Sequence, residues 1–247
     1  MNYEPKKEEA QILLNIFYQK NYRVLINKIT DLLTSYPKSV FLLNLLGSTY
    51  NELNEFEKAI NCFNGIIKLD KNFADAYYNL GIIYKKINKL EDAENNYTLC
   101  ININPNKYEA YNNLGNIYKD RNDNERAINN YLKCLDINSN YLIGLQNFGV
   151  CLQNFSFSYQ SNNIDKHIIN LLKQDKILRP VDIINSLINY LYLDLEFKDT
   201  VENIDIIHKK IPIEQLINKI LNFKVFLCVI KITPITDIKI ENLLKFL

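Results

Sequence analysis

Side chains able to do covalent or metal chemistry are few in this chain, and they are not spaced for it. The two histidines, His167 and His208, stand far apart, and the sequence offers neither a partner. The five cysteines, Cys62, Cys100, Cys134, Cys151 and Cys228, form no CxxC pair, so a four-ligand zinc site of ordinary spacing is not expected. Loops that cradle phosphates or dinucleotides need several glycines within a few residues. The chain has six glycines, none after Gly149. The expectation is therefore a non-enzyme with no cofactor and no metal. What does recur is a carboxamide. Asn79, Asn113 and Asn147 stand at one constant interval, and a side-chain amide both donates and accepts hydrogen bonds, which suits a peptide backbone of any side-chain sequence.

Charge removes further classes. Lys plus Arg total 29 against 28 for Asp plus Glu, a net charge of +1. The balance holds locally, with 17 of each up to residue 163 and 12 against 11 beyond it. A nucleic-acid partner normally calls for a basic excess on some segment, and none is present. Met1–Ala10 is charged, so no secretory signal is read there. The longest apolar run, Val225–Ile230, is too short to span a bilayer. Scattered cysteines without a leader fit a reducing compartment, and the expected location is cytoplasmic. Asparagine supplies 37 residues and arginine only four, as an AT-rich coding sequence would give. A lone Asn therefore carries little meaning, and codon bias stands as the alternative account of the recurring three.

The elements that position these amides are set by a period. Gly47, Gly81, Gly115 and Gly149 recur at the same interval as the amides, within FLLNLLGSTY, AYYNLGIIY, AYNNLGNIY and GLQNFGVCL. Twelve residues after the first three glycines stand Ala59, Ala93 and Ala127, and sixteen after them Phe63, Tyr97 and Tyr131. Tyr50, Tyr84 and Tyr118 follow the glycines by three. Small residues mark close helix crossings, and the rings are expected to fill the space between successive repeats. Asn54, Asn88 and Asn122 suit the left-handed turn after a helix end, and Pro37 and Pro105 stop second helices. The spacing predicts first helices over 40–53, 74–87, 108–121 and 142–154, and second helices over 56–69, 90–103 and 124–137.

This pattern, two antiparallel helices in every period of about 34 residues, resembles the tetratricopeptide repeat. The likeness covers residues 6–163: a degenerate repeat at 6–39 with Leu13 in place of glycine, repeats at 40–73, 74–107 and 108–141, and a partial one at 142–163. In the last, Ser161 and Asp165 replace the expected alanine and aromatic. The resemblance implies an all-α, right-handed superhelical solenoid whose first helices line a concave groove. Counted from each glycine, the inward positions are −6, −3, −2, +1, +4 and +5. They place Asn44, Asn51, Tyr78, Asn79, Lys85, Asn112, Asn113, Asn116, Lys119 and Asn147 in the groove as candidate peptide-binding residues. The asparagines at −2 resemble the ladder in the tetratricopeptide arms of O-linked N-acetylglucosamine transferases, with Leu45 breaking it in the repeat at 40–73. The partner so implied is a protein or peptide segment, and mixed groove charges disfavour a strongly acidic or basic one.

Residues 164–247 keep helical spacing but lose the period, and the expectation is a non-repeat helical C-terminal cap. IDKHIINLLKQD reads as one helix, and Arg179-Pro180 starts the next, VDIINSLINYLYL. KDTVENIDIIHKK, IPIEQLINKILNFKVFLCVIKI and DIKIENLLKFL follow, broken by Pro212 and Pro234. LRPVDIINSLINYL and ITPITDIKIENLLKFL resemble linker helices that join tetratricopeptide repeats to a class I S-adenosylmethionine-dependent methyltransferase domain in bacterial proteins. Arg179, Pro180, Asp182 and Ile183 carry the likeness, with Pro234, Asp237, Ile240, Glu241, Leu243 and Leu244. That resemblance implies a substrate-recognition arm whose methyltransferase, or a glycosyltransferase, domain lies beyond Leu247. The apolar stripe Ile240, Leu243, Leu244, Leu247 has no cap. It adds two expectations, a chain that is part of a longer protein and a homodimer formed through the C-terminal helices.

Overall fold

The computed structural model describes residues 4–153, 155, 156, 158, 162–174, 183–203, 215, 223, 225, 226, 228 and 229. The fold of the described residues is all-helical, in twelve helices. First helices of the repeats are α1 (Lys7–Tyr18), α3 (Val40–Glu52), α5 (Ala74–Lys86), α7 (Tyr108–Asp120) and α9 (Leu142–Leu152). Second helices are α2 (Tyr22–Ser35), α4 (Phe56–Leu69), α6 (Leu90–Ile103) and α8 (Asn124–Ile137). Then come α10 (Asn162–Leu172), α11 (Ile184–Leu191) and α12 (Leu195–Glu202). Second helices begin and end where the spacing predicts, and first helices end one or two residues earlier. The chain packs as two compact units, Met1–Ala110 and Tyr111–Leu247.

Each hairpin turn is built the same way. Lys20, Asn54, Asn88 and Asn122, which follow one another at the repeat interval, have φ of 58–61°. Behind them the amides of Asn21, Glu55, Lys89 and Asp123 reach back to the carbonyls of Ile16, Tyr50, Tyr84 and Tyr118 at 2.8–3.2 Å. The left-handed residues themselves bond to Phe17, Asn51, Lys85 and Lys119 at 2.9–3.1 Å. Together these bonds satisfy the last carbonyls of each first helix. Lys20 shows that the degenerate repeat keeps the register, although it lacks the asparagine that signals the turn elsewhere.

In the N-terminal unit each ring lies against the glycine of its own repeat, and Phe63 also reaches the next repeat, in one cluster with Ala76, Leu80 and Ile83. A Cβ on Gly47 would meet Phe63 Cζ at 2.8 Å, and one on Gly81 would meet Tyr97 Cε1 at 2.6 Å. Both rings are buried. The physical reason is volume. The ring needs the space that a side chain on the facing helix would take, and only glycine yields it. In the repeat at 6–39 the same two positions carry Leu13 and Ile29, both buried in one cluster with Leu25 and Leu42. There one small and one large residue become two of middle size. At the start of this unit the Glu4 carboxylate accepts from the Ser39 hydroxyl and from the Val40 amide at 3.0 Å. With Ser39 accepting from the Leu42 amide at 3.1 Å, Glu4 completes the N-cap of α3.

The C-terminal unit repeats the contact, since a Cβ on Gly115 would lie 2.5 Å from Tyr131 Cε1. Beyond α9 the pattern changes. α10 packs on α8 and α9 through Ile164, Ile168 and Leu171. His167 is fully buried there, its Nε2 2.8 Å from Asp136 Oδ1, and the Asn163 amide donates to Asp136 Oδ2 at 2.9 Å. Asp165, standing where an aromatic was expected, accepts from the buried Tyr190 hydroxyl at 2.6 Å. Ser186 on α11 donates to the Leu152 carbonyl. Asp194 then caps a helix that starts before the segment KDTVENIDIIHKK. Its carboxylate accepts from the Glu196 and Phe197 amides at 2.8 and 3.0 Å, so α12 starts at Leu195. Phe197 meets the Phe223 and Phe226 rings at 4.9 and 5.3 Å.

Of the residues behind the methyltransferase-linker resemblance, Ile183 is described and buried. Arg179, Pro180, Asp182, Pro234, Asp237, Ile240, Glu241, Leu243 and Leu244 lie outside the described residues, as do His208 and the expected helix 237–247. Among the described residues no helix is long and apolar enough to cross a membrane.

The glycine–ring contact generates a test. Gly115→Leu should destabilise the protein by about 1–3 kcal/mol through overpacking, read as a drop in thermal midpoint. Adding Tyr131→Ile, in imitation of Leu13 and Ile29, should recover part of the loss. A double variant less stable than Gly115→Leu alone would show that the ring supports the fold in another way.

Candidate peptide groove

The candidate residues are positioned by the hairpins just described, and each compact unit holds part of the set. In the N-terminal unit, Asn79 on α5 donates from Nδ2 to Asn44 Oδ1 on α3 at 3.3 Å. Further along the same two helices, Lys86 Nζ donates to Asn51 Oδ1 at 3.0 Å. Lys107 Nζ lies 2.9 Å from Asp75 and 4.8 Å from the centre of the Tyr78 ring. Burial lowers the Lys107 pKa, but the bond to Asp75 and its charge outweigh burial and hold it above the ordinary lysine value. Lys85 is half-buried on the same helix as Lys86.

In the C-terminal unit, Asn147 on α9 donates from Nδ2 to Asn112 Oδ1 on α7 at 2.9 Å. Asn112 is only 3% exposed. Its oxygen serves the neighbouring asparagine, and the residue lies beneath the groove surface instead of on it. Asn116 accepts at 2.8 Å from the Tyr131 hydroxyl, the ring that lies on Gly115. Burial pushes the Tyr131 phenol well above its ordinary pKa, so it keeps the proton it donates. Asn113 and Lys119 are half-buried.

Two asparagine pairs thus have the same construction, with the amide at −2 donating to the amide at −3 of the preceding repeat. Asn44 and Asn79 have the same separation in the chain as Asn112 and Asn147, one position more than the repeat interval. Tyr78 occupies the −3 position between them in sequence. The pairing consumes one N–H of each donor. It leaves the donor's own oxygen and its second N–H in fixed orientation, one acceptor and one donor per pair. The pairing and the Tyr131–Asn116 bond went unrecognised in the sequence, although the recurring Asn–Asn separation was there to find.

Three family models match the chain, a TPR repeat over residues 47–88 and tetratricopeptide repeats over 74–107 and 108–141. Residues 47–141 are thus tetratricopeptide repeats. Solved structures agree on the fold. The crystal structure of MamA shares 23% identity at a TM-score of 0.55, covering 66% of this chain and 93% of that one. MamA 41-end from Desulfovibrio magneticus RS-1 shares 18% at 0.54, covering 73% and 95%. A structure from the functional characterisation of Pseudomonas aeruginosa pilF shares 14% at 0.56, covering 80% and 85%. No curated protein matches the chain significantly. Tetratricopeptide repeats act as protein-interaction scaffolds, and that broad role is the one the family brings.

The tyrosines three residues after the glycines are packing groups here. Lys58 Nζ lies 5.3 Å from the Tyr50 ring centre, and the Arg126 guanidinium 4.6 Å from that of Tyr118. The cysteines are packing groups as well. Cys62, Cys100, Cys134 and Cys151 are buried and Cys228 is partly exposed, and none forms a disulfide. Burial pushes the Cys62, Cys100 and Cys151 thiols from 9.0 up to about 11. Two outcomes follow for the native protein. A thiol reagent at pH 8 should modify Cys228 first and the other four only on unfolding. Stability should be unaffected by these thiols below pH 9 and fall as pH rises from 9 toward 11, because unfolded thiols ionise first. Rapid labelling of all five would place the four in accessible sites.

Proposed function

We propose that this chain is a binding module whose tetratricopeptide groove holds an extended peptide segment of another protein. The observation that carries this is the paired asparagines. Each pair presents one fixed acceptor and one fixed donor, the complement of one peptide unit. The same construction recurs in each compact unit, which suits a backbone more naturally than any particular side chain. Lys85 and Lys119 add positive charge at the +4 position, and Asn51 is held by Lys86 at its rim. Helices α10 to α12 serve in this account to cover the apolar end of the repeats, with the repeats themselves ending near residue 163. The module works in the cytoplasm without cofactor or metal.

The test compares wild type with an Asn79/Asn113/Asn147→Ala variant in pull-downs from cell lysate, read by mass spectrometry. Each lost hydrogen bond costs about 1 kcal/mol, so a partner should bind the variant on the order of a hundredfold more weakly. The thermal midpoint should fall modestly, because the Asn79–Asn44 and Asn147–Asn112 bonds are lost as well, while the far-ultraviolet helix signal persists. Equal retention of every partner by the two proteins would remove the asparagines from the binding surface.

A further inference from the structure

α9 differs from the other first helices that line the groove. Its sequence, LIGLQNFGVCL, contains no charged residue. At the −6 position α5 and α7 carry Asp75 and Glu109, and at +4 they carry Lys85 and Lys119; α3 has Phe41 and Asn51 there, and α9 has Ile143, with Gln153 just past its end. Ile143 is 54% exposed and Val150 40%. Both share a face with Asn147, four residues after Ile143 and three before Val150. That face is fixed by the Asn147–Asn112 bond, so these side chains flank the amide pair about two helical turns apart. The N-terminal of the two begins the helix beside Leu142, which is 58% exposed.

We propose that the α9 face of the groove selects an uncharged peptide segment bearing aliphatic side chains, seated on Ile143 and Val150 while its backbone meets the Asn147–Asn112 pair. The inference rests on the peptide-groove function and names the chemistry of its ligand. Charge decides the class of occupant. An acidic or basic side chain seated here would lose water against two aliphatic groups and gain no counter-ion from α9. An aliphatic one removes exposed apolar surface from water on both sides.

The experiment is affinity selection from a randomised library of acetylated, amidated octapeptides on the full chain. Wild type is run beside an Ile143→Lys/Val150→Lys variant, and both positions are exposed enough for the variant to keep its thermal midpoint. Wild type should enrich Leu, Ile, Val or Met. The variant should bind those peptides at least on the order of tenfold more weakly and shift its enrichment toward Asp and Glu. Peptides retained by wild type without aliphatic preference, or the same set retained by both proteins, would overturn this inference and leave the groove function standing. No peptide retained by wild type would overturn both. Concentration-dependent dimers of wild type that the variant abolishes would give the face to a second copy of the chain and overturn the proposal.

Discussion

The contact of an aromatic ring with a glycine on the facing helix is the constraint from which the rest of this structure follows. A single added carbon at Gly47, Gly81 or Gly115 would come within 2.5–2.8 Å of the ring, closer than packed atoms approach. The two helices of a repeat are thereby set at one separation, and the period of the sequence is the period of that contact. The repeat at 6–39 shows that the requirement is volume and not residue type, since Leu13 and Ile29 divide the same space. The turn is subordinate to it. A left-handed residue closes each hairpin because the chain must reverse within a few residues to bring ring and glycine together.

Groove chemistry is built on that spacing. Neighbouring first helices within each compact unit come close enough for one carboxamide to hold another, as Asn79 holds Asn44 and Asn147 holds Asn112. A paired amide has lost rotational freedom before any ligand arrives, so less conformational entropy remains to be lost on binding. At Asn116 the link to the core is direct, because the Tyr131 ring that fills the space at Gly115 also donates to that amide. There a core ring and a proposed recognition residue share one hydrogen bond.

Much of this was legible in the sequence because the signals were local and periodic. Gly115, Ala127 and Tyr131 mark one helix pair, and Asn122 marks its turn, so helix bounds followed to within two residues. Lys20 was missed as a turn residue because its side chain gives no sign of a left-handed backbone. The amide pairs were missed for another reason. Counting positions at the fixed repeat interval aligns Asn79 with Leu45 and hides its contact with Asn44, one residue out of register. Contacts beyond the period were hidden altogether, as between His167 and Asp136 or Tyr190 and Asp165. Nothing in their spacing repeats, and only the packing of α10 and α11 brings them together.

The central claim is that the ring–glycine contact holds the groove amides in place. Side-chain amide NMR tests it most directly, by following the cross-relaxation between the Asn147 and Asn112 carboxamides in wild type and in Gly115→Ala. The account predicts a clear cross-peak in wild type that weakens or vanishes in the variant while the far-ultraviolet helix signal persists. A cross-peak of equal strength in both proteins would mean that the amides are positioned without the interlock, and its absence from folded wild type would contradict the pairing itself.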